Sequence, residues 1–209
     1  MFRPMFRNAL FAAGLTVLAL LSVACAGTHG AAVRSGKAVH ALPTATVSGV
    51  ALRHPRAGLV TAGQPATGDW SALAAAGIRA VINLRPQAEM QGRDERAEVA
   101  AAGMRYIELP IATAADITPE NAQRLATLLG DAEGAVLVHC GSGNRVGGLL
   151  AVAMAQSGMQ ADEAIKFGRG AGMKSTESRA REVIERQRVA LCATDAGKAV
   201  DPLQCPAGG

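Results

Sequence analysis

Ala135-Val136-Leu137-Val138-His139-Cys140-Gly141-Ser142-Gly143-Asn144-Arg145-Val146-Gly147 is an apolar run that ends in a polar, glycine-containing turn and passes into a second apolar stretch, Val146 to Gln156. A short apolar run bounded by turn residues suits a buried strand, and the longer stretch after it suits a helix. Upstream, Thr118-Pro119 opens a helix to Leu129, with Thr118 as N-cap and Pro119 in the first turn. Tyr106 to Ile111 reads as a strand, Asp94 to Ala102 as a helix stopped by Gly103, and Ile78 to Leu84 as a buried strand. Asp69 to Ala76 reads as a helix ended by Gly77. Val47 to Arg53 and Leu59 to Ala62 read as short strands joined through His54-Pro55-Arg56. Downstream, residues 159–190 read as two helices, the second from Ser175 to Arg188 with Ser175 as its cap. Strands and helices alternating at these lengths imply an α/β fold, a mostly parallel central sheet flanked by helices. Ligands of such sheets bind beyond the carboxyl ends of the strands, which is where His139 and Cys140 fall.

A strand, a glycine turn and a helix start form a concave array of main-chain N–H groups suited to a tetrahedral anion. The same donors favour a thiolate at Cys140, placed beneath a bound phosphate as a nucleophile. Arg145, five residues on, can fold over the loop and hold two phosphate oxygens. Gly141 and Gly143 let the loop curl, and Gly141, Ser142, Gly143 and Asn144 supply the cradle, with His139 orienting it from below. These four residues add no charge beyond Arg145, which disfavours highly charged substrates. Arg85 and Gln64 stand where strands end and either face the anion or make structural contacts. Glu89, Asp94 and Glu95 read as solvent-facing.

The nine residues His139 to Gly147 resemble the signature loop of the cysteine-dependent protein tyrosine and dual-specificity phosphatases. A narrower resemblance spans roughly residues 47–160. Leu59-Val60-Thr61-Ala62-Gly63-Gln64-Pro65, Ala76-Gly77-Ile78, Val81-Ile82-Asn83-Leu84-Arg85-Pro86, and Val138 to Arg145 together resemble the bacterial β-lactamase-hydrolase-like phosphatase family. The resemblance implies a cysteine-phosphatase, dual-specificity-like fold. It also implies phosphomonoester hydrolysis through a phosphocysteine, with no cofactor or metal. Such enzymes take a general acid from a loop on the same rim, and Asp116, 24 residues before Cys140, is the candidate. They commonly carry Ser or Thr after the arginine; here that residue is Val146, which points to slow turnover or to an alternative, a catalytically weak phosphate-binding module. Sulfur-transfer and arsenate chemistry fit the loop length and its position less well.

Arg3 and Arg7, the uncharged run Ala9 to Val23 and the small-residue end Ala24-Cys25-Ala26 read as a secretory signal over residues 1–26. Export to the periplasm or medium is expected, free or as a lipoprotein tethered through Cys25 or an uncleaved signal. Residues 27–45 read as a flexible leader, 46–190 as the phosphatase-like domain and 191–209 as a C-terminal tail. The chain has 209 residues, 49% hydrophobic and 18% charged, which excludes extensive disorder. Removing the signal takes two of the 21 basic residues and none of the 17 acids, so the mature charge is +2. That balance, with Trp70, Tyr106 and Phe167 the aromatics left, excludes a nucleic-acid platform. The expected partner is a phosphorylated substrate, a small phosphomonoester or a phosphoprotein. In an oxidising compartment Cys192 and Cys205 can pair, leaving Cys140 as the odd thiol.

Overall fold

The computed structural model describes residues 46–194; the expected signal, the expected leader and Cys205, with its expected bond to Cys192, lie outside them. Among the described residues there are seven strands and six α-helices, alternating in the middle of the chain. β1 (Thr46–Val47) and β2 (Val50–Ala51) form a hairpin, because Ser48 and Gly49 both take positive φ (43° and 80°). Such a two-residue turn matches the twist of the paired strands. It breaks the strand expected over Val47 to Arg53. β3 (Arg53–Arg56) pairs antiparallel with β4 (Leu59–Ala62), so His54-Pro55-Arg56 is strand and the turn is Ala57-Gly58. Pro55 is tolerated there because β3 is an edge strand.

The central sheet has the order β3-β4-β7-β5-β6, with β5 (Ile78–Asn83), β6 (Arg105–Glu108) and β7 (Ala135–His139) parallel to β4. The irregular stretch after Glu108 still donates from Leu109 and Ile111 to Asn83 and Leu84, but Pro110 has no N–H to offer. α1 (Trp70–Ala75) and α2 (Glu95–Ala101) cover one face, burying Trp70, Leu73 and Val99 against Val60, Val81 and Leu137. α3 (Pro119–Gly130), α4 (Asn144–Gln156), α5 (Ala161–Gly170) and α6 (Glu177–Thr194) cover the other. Thr118 caps α3 as expected, its hydroxyl accepting from the Asn121 N–H at 3.2 Å.

α4 runs through the core and buries Val146, Leu149, Leu150, Val152 and Ala153 completely. It begins at Asn144 rather than Val146, so Arg145 belongs to its first turn. α5 and the return segment before α6 press on it so closely that a Cβ on Gly147 would stand 2.2 Å from the Met173 nitrogen. At the start of α6 Thr176, not Ser175, takes the capping place: its carbonyl accepts from Ala180 N–H at 3.0 Å, while Ser175 bonds Asn144 instead. α6 continues to Thr194 because Val189 to Ala193 contain no breaker.

Candidate active site

β7 ends at His139, and parallel pairing puts Ala62 of β4 and Asn83 of β5 beside it in register. Three strand ends, and the segments that leave them, therefore surround Cys140. Cys140 is a buried free thiol whose Sγ accepts the Gly143 N–H at 3.1 Å. Gly143 takes φ 84° and serves as the α4 N-cap, its own N–H turned toward the sulfur. From the β4 side, Gln64 N–H donates to the Gly141 carbonyl at 3.3 Å; a Cβ on Gly63 would lie 3.1 Å from that same oxygen. Asn144 ties the far side of the loop down: its Oδ1 accepts from Lys174 N–H at 2.7 Å and Thr176 N–H at 3.2 Å, and its Nδ2 donates to Ser175 at 2.8 Å.

Arg145 is held from outside. Nη1 donates to Glu89 Oε1 at 2.6 Å and to the Ile111 carbonyl at 2.7 Å, and Nη2 donates to Glu89 Oε2 at 2.7 Å. A guanidinium has five N–H bonds, so this leaves Nε–H and one Nη2–H, the side-on pair that a phosphate takes bidentately. Nη2 lies 3.5 Å from where a Gly141 Cβ would be, so that edge faces the loop. The bond to Glu89 holds Arg145 charged more firmly than usual; burial opposes this and the nearby Cys140 sulfur supports it. Glu89 in turn is held below the usual carboxylate range, chiefly by Arg145, with burial opposing and Arg85 assisting.

Of the three acidic residues expected to face solvent, Asp94 is exposed, Glu89 is half-buried and Glu95 is buried. Glu89 clamps Arg145, Asp94 caps α2 by accepting from Ala97 N–H at 3.0 Å, and Glu95 is 1% exposed. Glu95 Oε1 lies 2.9 Å from His139 Nε2, close enough for ion pairing but not aligned as a hydrogen bond. Burial pushes the Glu95 carboxyl up, but His139, Gln64 and Arg93 outweigh it and leave it below its ordinary value. His139 thus sits beneath the loop, fully buried. Arg85 and Gln64 take the structural option: Arg85 donates to Gln64 Oε1 at 2.5 Å and to the Glu89 carbonyl, and Gln64 donates to Glu95. A polar chain thus runs from Arg145 through Glu89, Arg85, Gln64 and Glu95 to His139. Only the strand register brings these residues together, and no local pattern announces it.

Asp116 sits in the short helical turn Ala114–Asp116, its Oδ2 accepting from Thr113 N–H at 2.8 Å and Thr113 Oγ1 at 3.3 Å. Its loop meets the site at Ile111 and Ala112, whose carbonyls Arg145 contacts at 2.7 and 3.3 Å. Ser142 is exposed, and Val146 is fully buried, pointing no polar group at the loop.

Residues 51–158 match the model of the phosphatase-like domain of β-lactamase hydrolase-like proteins, which is more than half the chain. The chain belongs to this family. The β-lactamase hydrolase-like protein of Agrobacterium fabrum is 32% identical over 138 residues, covering 64% of this chain and 31% of that protein. Its counterpart in Xylella fastidiosa strain 9a5c is 35% identical over 136 residues, covering 63% and 31%. The chain thus spans about a third of these relatives' length. A provisionally named phosphatase from Neisseria meningitidis has a similar structure, with TM-score 0.55 and 26% identity over 63% of this chain and 96% of its own. P. aeruginosa TpbA shares the fold, with TM-score 0.53 and 21% identity over 68% and 88%. The β-lactamase-hydrolase-like phosphatase domain therefore has the α/β fold of tyrosine and dual-specificity-like phosphatases, as its loop sequence implies.

Proposed function

We propose that this phosphatase-like domain is an exported cysteine-dependent phosphatase acting on phosphomonoesters. The observation that carries the reading is the Gly143 N–H directed at Cys140 Sγ at 3.1 Å, with the side-on edge of Arg145 turned to the same loop. In the first step the Cys140 thiolate attacks phosphorus, the P–O bond to the alcohol breaks, and Asp116 protonates the departing oxygen. In the second, water attacks the phosphocysteine and gives a proton to the Asp116 carboxylate, the S–P bond breaks and the thiolate returns. Main-chain donors and Arg145 carry the charge that develops on the equatorial oxygens. Asp116 has both its hydrogen bonds on Oδ2, leaving Oδ1 to hold the proton. Export rests on the N-terminal pattern of residues 1–26.

A second reading, a phosphate-binding module of weak turnover, is favoured by one observation: Val146 is 0% exposed and brings no hydroxyl to help the thiolate leave. Hydrolysis of para-nitrophenyl phosphate by the native chain separates the two. The phosphatase turns over and the Cys140→Ser chain does not, although both bind vanadate; a native rate no higher than that of Cys140→Ser would leave the binding module. Asp116→Asn keeps an oxygen that can accept from Thr113 but loses the proton. It is expected to slow alkyl phosphates by about a hundredfold and para-nitrophenyl phosphate by much less. Equal rates on alkyl phosphates would remove Asp116 from the mechanism.

A further inference from the structure

A second positive group stands beside the loop and comes from outside it. Arg53 opens β3 and pairs in register with Thr61. Its Nη1 lies 3.4 Å from where a Cβ on Gly143 would stand and 3.4 Å from the equivalent point on Gly172. Both glycines take positive φ, 84° and 113°, so the guanidinium occupies a slot between two positions without side chains. Nine arginines form ion pairs, whereas Arg53, like Arg56, Arg79, Arg105 and Arg124, has none among the described residues; Arg53 also makes no hydrogen bond there, and of these five it is the one that lies against the loop. It is half-buried, yet none of its nitrogens is sealed from solvent without a partner. Lys174 adds a cation with no ion pair among the described residues: its main chain is anchored on Asn144 of the loop at 2.7 Å and its residue is exposed.

A half-buried guanidinium without a counterion is electrostatically uncompensated, and beside an anion cradle it raises the local positive potential. Its fork of donors suits a phosphate or carboxylate. We propose that Arg53, with Lys174, forms a second anion subsite on the Gly143 side of the loop. The preferred substrate is then a phosphomonoester that carries a further anionic group. This deepens the phosphatase reading and rests on it for the identity of the first anion. It also reverses the expectation, drawn from the uncharged loop residues Gly141 to Asn144, that highly charged substrates are disfavoured. The charge is supplied by a strand that precedes the loop by more than eighty residues.

The test is titration of the full Cys140→Ser chain with inorganic phosphate and with methylenebisphosphonate, which cannot be hydrolysed. The bisphosphonate is expected to bind about tenfold more tightly than phosphate, the scale of one charge-assisted contact. Arg53→Gln should bring the ratio to about two, and Arg53→Lys should keep part of it. Lys174→Glu, on the exposed surface where folding is not at stake, should also lower it. An unchanged ratio in Arg53→Gln and Lys174→Glu would overturn the subsite. Loss of hydrolysis in the native chain with the anion preference intact would count against the phosphocysteine mechanism alone.

Discussion

Replacing Arg145 by lysine is expected to lower kcat/KM toward para-nitrophenyl phosphate by about a thousandfold, with the fold intact. Arg145 does two tasks at once. Its outer edge satisfies Glu89 and the Ile111 carbonyl at 2.6 to 2.7 Å, and its inner edge faces the loop. A lysine ammonium is a point donor on a flexible stem and cannot serve both edges together. Drawn to Glu89 it leaves the phosphate oxygens; drawn to phosphate it leaves Glu89 beside Arg85 alone. The parallel pair of N–H bonds that fits the transition state is lost in either case. Steady-state kinetics with a melting control would show this, and a lysine variant retaining a tenth of the native activity would contradict it.

Gly147→Ala is expected to be the most damaging small substitution, lowering stability by about 3 kcal/mol or more and Tm by about 10 °C. Helix propensity alone favours alanine by up to about 1 kcal/mol in a helix interior. Here the added methyl would sit 2.2 Å from the Met173 nitrogen and 2.5 Å from the Gly168 carbonyl oxygen, both backbone atoms that cannot rotate away. Either α4 separates from α5 or the segment before α6 shifts, and Asn144 loses its grip on Lys174 and Thr176. Gly130→Ala is the contrast, since nothing lies within 4 Å of its Cβ position at the end of α3. It should melt at or above the native temperature. Equal melting of the two variants would show that the packing at Gly147 is looser than described.

The elements that decide the fold are legible because their signals are local. Ala135–His139 is bounded by turn residues, and Thr118-Pro119 carries its own start signal, so both boundaries fall where the residues place them. The hairpin at Ser48-Gly49 is not legible, since it needs positive φ at a serine, which residue type alone does not demand. Cys140, Gly143 and Arg145 are legible because six consecutive residues build the cradle. Glu89, Glu95 and Arg53 are not, because each acquires its role through strand order. β5 and β4 flank β7, and only then do residues up to 87 positions from Cys140 meet its loop. Charge on a short exposed-looking segment reads as solvation until the sheet is assembled.

Trapping the intermediate tests the central claim most directly. Acid quenching of the native chain during turnover of a radiolabelled aryl phosphate should place label on the peptide that contains Cys140, with none on the Cys140→Ser chain. Hydrolysis that proceeds with no label on that sulfur, or with label on another residue, would contradict a phosphocysteine mechanism.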